Sequence, residues 1–112
     1  FTDILCPTPR GLYCPPGDFY VDPTRPAERA VVTHGHSDHA RAGHGAVLAT
    51  AETLAIMAAR YGDGFAASRQ AARYGERHRL GDATVWLAPA GHVLGSAQAV
   101  IEAHGRRIVV SG

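Results

Sequence analysis

The sequence contains no lysine: all eleven of its basic side chains are arginine. Arginine suits bidentate phosphate recognition. The chain also carries twenty alanines, and together the two biases read mostly as base composition of the coding DNA. There is little net charge, only +1, so bulk charge argues neither for nor against a nucleic-acid partner. There are only two cysteines, Cys6 and Cys14, too few for a disulfide framework. They read as small buried residues in a reducing, cytoplasmic setting. No apolar run is long enough to cross a membrane, and no signal peptide is recognisable. There is no initiating methionine either: Phe1 opens the chain and Gly112 follows an apolar run. The 112 residues therefore read as a piece of a longer protein. What is present is a 46% apolar composition, which excludes disorder and supports one small domain with its own core.

Histidine is concentrated instead of scattered. Thr33-His34-Gly35-His36-Ser37-Asp38-His39 places three histidines and an aspartate within six consecutive residues. The apolar run Ala30-Val31-Val32, with its β-branched valines, feeds into it, so the cluster reads as a loop at the end of a strand. Alternating His34 and His36 can bind one metal together, while Asp38 and His39 lie further along, free to turn towards a second. Imidazole and carboxylate suit zinc, with manganese or iron as alternatives. The competing reading is a polar loop without metal, but crowded neutral imidazoles have acceptor nitrogens that need partners.

Taken in order, residues 5–17 are rich in proline and glycine and read as extended or turning, with a short strand at Leu12-Tyr13-Cys14. Phe19-Tyr20-Val21-Asp22 reads as a strand stopped by Pro23. Asp22 is either a turn residue or an acceptor for the N–H of a ligand imidazole. After the cluster, Val47-Leu48-Ala49 reads as a strand. Thr50 reads as the N-cap of a helix in which Leu54, Met57, Ala58 and Tyr61 recur, closed by Gly62. Met57 and Tyr61 read as core. The weak pattern that follows admits a short helix around Ala66-Ala72, and its arginines read as a solvated face. From His78 the chain reads as sheet: turns at Gly81-Asp82 and His104-Gly105 separate strands over Thr84-Leu87, Ala97-Ala103 and Arg107-Val110. His44 and His104 read as having no part in a site. His92, in Gly91-His92-Val93-Leu94-Gly95-Ser96, again follows a strand, and can complete a three-histidine set if its loop lies beside the first cluster.

His34-Gly35-His36-Ser37-Asp38-His39 resembles the HxHxDH signature of the metallo-beta-lactamase superfamily. Gly91-His92-Val93-Leu94-Gly95-Ser96 resembles the third motif of its beta-CASP nuclease branch, and Asp22 falls where that branch has its first motif. The opening, Pro9-Arg10-Gly11-Leu12-Tyr13-Cys14 with Pro16-Gly17-Asp18-Phe19-Tyr20-Val21-Asp22-Pro23, is similar to bacterial ligase-associated DNA exonucleases, also described as mRNA 3'-end processing factor-like. The resemblance implies an α/β fold, the αββα sandwich, of which residues 1–112 would be the N-terminal half of a catalytic domain, ending before the remaining motifs. It implies two zinc ions, manganese being an alternative, with His34, His36 and His92 on one and Asp38 and His39 on the other. Asp22 would support a ligand. The implied activity is hydrolysis of nucleic-acid phosphodiesters by a metal-bridging hydroxide that Asp38 orients. The expected substrate is DNA rather than RNA, attacked exonucleolytically in repair, with a DNA ligase or helicase as partner and no membrane. The piece alone is expected to be inactive. Alternatives are an RNA-processing nuclease of the same branch, a metallo-hydrolase acting on a lactam, thioester or lactone, and a catalytically silent nucleic-acid-binding homologue.

Overall fold

A computed structural model of the chain describes residues 3–35, 40–90 and 96–111. Strands β1 (Cys6–Thr8), β2 (Gly11–Cys14), β3 (Phe19–Val21), β4 (Arg29–Val31) and β5 (His44–Ala49) come first. Helix α1 (Ala51–Tyr61) and strand β6 (Ala66–Ala71) follow. Strands β7 (His78–Leu80), β8 (Ala83–Pro89), β9 (Ala97–Ala103) and β10 (Arg106–Ser111) complete the order. The first six strands form one sheet in sequence order. It is antiparallel from β1 to β3 and parallel from β3 to β6. The last four form a second, antiparallel sheet, ordered β10-β9-β8-β7.

Local chemistry explains most of these boundaries. His104 and Gly105 both adopt positive φ, 53° and 72°, as a two-residue hairpin turn with the right twist requires. The Thr50 hydroxyl caps α1 by accepting from the Thr53 N–H at 3.2 Å, and the Gly62 N–H closes its far end on Ala58 O at 2.8 Å. Alternation sets the two cores. On one face of the first sheet Phe19, Val21, Val31 and Leu48 pack against Val85, Leu87, Ala99 and Ile101 of the second sheet. On its other face Val47, Ala49 and Phe65 pack with Leu54 and Met57 of α1. At about 25 cal/mol per Å² of apolar surface, these two clusters are the main source of cohesion.

The expected αββα sandwich is not what the chain forms. The described residues make a small β-rich domain of two sheets with a single 11-residue helix. The residues after α1 go almost wholly into pairing. Ala66–Ala71, expected as a short helix, pairs in parallel with β5, Ala46 opposite Ser68 and Leu48 opposite Gln70. Its alanine, arginine and glutamine favour helix intrinsically, but the ladder and the burial of Phe65 and Ala72 at its two ends override that preference. Beyond it, the turn residues fold the remaining chain into hairpins, which leaves no length for a second helix among the described residues. Met57 is buried as expected, but Tyr61 is 39% exposed and not core. Cys14 is buried, whereas Cys6 is only partly so, and both are free thiols. No helix among the described residues is long and apolar enough to cross a membrane.

Candidate functional site

Strands β3, β4, β5 and β6 all run in one direction, and β4 leads into the histidine cluster at its carboxyl end. Open sheets commonly carry their sites in the crevice at that end. Of the predicted ligands, His34 lies within the described residues, while His36, Asp38, His39 and His92 lie outside them. His34 is 1% exposed, so its imidazole is held inside the molecule. Among the described residues no three His, Cys, Asp or Glu side chains group closely enough to hold a metal ion. The predicted set is not among them because four of its five members fall outside.

The roots of both motif segments are described, and they meet. The backbone N–H of Ala97, which follows the His92 segment, donates to Thr33 O, which precedes His34, at 2.7 Å. Ala90 N–H donates to Ser96 O at 3.3 Å, so the chain enters and leaves the His92 segment at one place. This bond between sheets sets the start of β9 beside the chain that leaves β4.

Asp22 stands beside the same point. Its backbone has a positive φ of 48°, which is uncommon for a residue with a side chain. The turn aims its carboxylate at Thr33: Oδ1 accepts the Thr33 N–H at 2.8 Å and Oδ2 the Thr33 hydroxyl at 2.7 Å. A carboxylate offers about four acceptor sites, and Thr33 uses two. Asp22 thus fixes the residue immediately before His34. Imidazole and carboxylate are the donor types that suit zinc; of the predicted set the structure describes only His34, which is buried.

Three further residues touch the segment roots, and sequence reasoning missed them. The Arg60 guanidinium donates to Gly35 O at 2.7 Å, and the Tyr61 hydroxyl to Ala40 O at 2.9 Å. The Tyr74 hydroxyl donates to Ser96 O at 2.8 Å. Each is a side-chain bond to a backbone carbonyl distant in sequence, and no spacing pattern announces such a bond. His44, read as an ordinary residue, is 2% exposed, and its Nδ1 accepts the Ala27 N–H at 3.1 Å. Its Nε2 is buried without a hydrogen-bond partner among the described residues. Burial, and then the nearby Arg10 charge, hold its pKa below the usual histidine value. His104 is exposed at its turn, as expected.

No family model matches the chain. Among curated proteins, a 98-residue stretch is 41% identical to a probable DNA ligase of Opitutus terrae. That match covers 85% of this chain and 9% of the relative, so the chain spans under a tenth of the protein it resembles.

Proposed function

We propose that the chain supplies the ligand-bearing part of a zinc-dependent nuclease of the beta-CASP type that degrades DNA from its ends. The observation that carries this reading is the 2.7 Å bond from Ala97 N–H to Thr33 O. It joins the roots of two segments that are far apart in sequence and that both carry histidines. His34, His36 and His92 would hold one zinc, and Asp38 and His39 the other. Bound there, the ions would polarise the scissile phosphate and acidify the attacking water. Asp38 would accept a hydrogen bond from that water and aim it. Asp22, through Thr33, holds His34 in place, and a support of this kind typically matters about 10- to 100-fold in metal affinity or activity.

The name of the Opitutus terrae relative, a probable DNA ligase, supports DNA over RNA and a setting in DNA joining or repair. The two free cysteines suit a reducing, cytoplasmic compartment.

The test uses the full-length protein with zinc or manganese. It is given matched end-labelled linear DNA, closed-circular DNA and single-stranded RNA. The expected result is mononucleotide release from linear DNA, circles spared, and no activity in Asp38→Ala. Internal cutting of RNA with DNA untouched would replace this reading with an RNA-processing one. A metal-free preparation with full activity would remove the zinc reading altogether.

A further inference from the structure

The outer face of the second sheet carries a cluster that the candidate site does not use. Val85, Leu87, Ala99 and Ile101 point into the core. By strand alternation Thr84, Trp86, Val100, Glu102, Arg107 and Val109 therefore face outwards. Register puts Trp86 opposite Val100 and Val100 opposite Val109, an apolar row across three strands. One end of the row is open, since Val109 is 53% exposed. Arginines gather beside it. The Arg77 guanidinium, just before β7, lies 4.1 Å from the Trp86 ring centroid, and that of Arg107, on β10, lies 5.1 Å from it. Arg79 pairs opposite Thr84 and so shares the face.

The bland role of an arginine over an indole is a cation–π contact that covers the ring. One arginine suffices for that. Two guanidiniums drawn to one ring repel each other, and their charge is only partly compensated. Glu102 Oε2 accepts from Arg107 Nε at 3.0 Å and from Nη2 at 2.6 Å, which occupies two of the five N–H donors of that side chain. Arg77 has no hydrogen-bond or ion-pair partner for its side chain among the described residues. Arg79 reaches Asp82 only at 4.0 Å, with both side chains well exposed, and such a pair contributes little. The face thus sets an aromatic ring beside uncompensated positive charge.

We propose that this face binds single-stranded DNA, with a base stacked at Trp86 and backbone phosphates held by Arg77, Arg79 and Arg107. Every base has a π-face, so a ring flanked by cations takes a strand without reading its sequence. Arginine meets phosphate oxygens with paired N–H groups. A duplex keeps its base faces inside the stack and leaves the indole unused. An acidic peptide would match the charge but bring nothing to stack. The choice of DNA rests on the reading proposed above; the binding face itself involves no metal.

The experiment uses full-length protein in EDTA, so that nothing is cleaved, and a short fluorescent single strand of DNA read by anisotropy over a range of salt. The variants are Trp86→Leu, Trp86→Phe, Arg77→Gln and Arg107→Gln, with melting temperatures taken alongside. Trp86→Leu keeps the apolar row and is expected to weaken binding roughly 10- to 100-fold. Trp86→Phe, which keeps a ring, is expected to retain most of the affinity. Arg77→Gln and Arg107→Gln are each expected to flatten the slope of log affinity against log salt by about 0.7, the share of one phosphate contact on a single strand. Variants that melt lower but bind with unchanged affinity and salt slope would reduce the cluster to a structural latch and overturn the proposal. An equal Trp86→Leu loss for duplex DNA, or for an oligoglutamate peptide, would overturn it too. A protein that cleaves no DNA with metal, yet loses strand binding in Trp86→Leu, would remove the nuclease reading and leave this one standing.

Discussion

At the scale of single residues, the chain shows how much chemistry is invisible to spacing. His44 sits between Gly43 and Gly45 in sequence and looks unremarkable there. Folded, its Nδ1 is the acceptor for Ala27 N–H at 3.1 Å, so the ring proton of the neutral form sits on buried Nε2. Protonation would put a hydrogen on Nδ1, facing the Ala27 donor. Arg10 adds its charge to the opposition: it stacks on Tyr20, 4.9 Å from the ring centroid, and its guanidinium bonds Pro26 O. The pKa of His44 is accordingly lowered by burial first and by Arg10 second. The sign of the linkage follows. The unfolded chain, with a histidine pKa of about 6.5, takes up the proton before the folded chain does. The stabilising contribution is full above about pH 6.5 and is lost as pH falls towards the lowered folded value. His44→Gln is expected to flatten the fall in stability below pH 6.5 in urea melts taken across pH 5–8. A variant whose stability tracks the wild type at every pH would remove His44 from the account.

At the scale of elements, the strands that were legible in sequence are those with their own signals. The helix was legible too, from Thr50, the apolar recurrence at Leu54 and Met57, and Gly62. Strand β6 was not, because Ala66-Ala67-Ser68-Arg69-Gln70-Ala71 contains no β-branched residue and reads locally as helix. What makes it a strand is β5, whose Val47 and Leu48 stand opposite Arg69 and Gln70. Such pairing is a property of two segments and cannot be read from one. Ala67 is exposed on this strand, which gives a test whose sign depends on the element. Ala67→Thr trades helix propensity for β propensity without touching the core. In a strand it is expected to raise the melting temperature, by a contribution of up to about 1 kcal/mol. A lower melting temperature, with ordered circular dichroism retained, would argue for helix there instead.

At the scale of the whole molecule, the candidate site lies where two sheets meet, and this decides what was foreseeable. The two histidine segments could each be placed at a strand end from local sequence. That the two ends adjoin is a consequence of packing Phe19, Val31 and Leu48 against Val85, Leu87 and Ile101, with Ala97 N–H then closing on Thr33 O. The expectation of an αββα sandwich failed for the same kind of reason, since Ala66–Ala71, expected as a short helix, is taken up by pairing with β5. The arrangement has a thermodynamic consequence. His34 follows β4 of the first sheet, and His92 belongs to the connection between β8 and β9 of the second. A zinc shared by them, as proposed, would link the sheets and be bound only by the folded chain, so its binding energy would become folding energy. Free zinc at a hundred times its dissociation constant contributes about 2.7 kcal/mol. Thermal melts of the full-length protein are therefore expected to shift down with a chelator and back up on zinc addition. His92→Ala is expected to lose most of that zinc response. His104→Ala, at an exposed turn away from the segment roots, is expected to keep it. Identical melts with and without chelator would mean that no metal spans the two sheets, and the case for a centre built from both segments would fall.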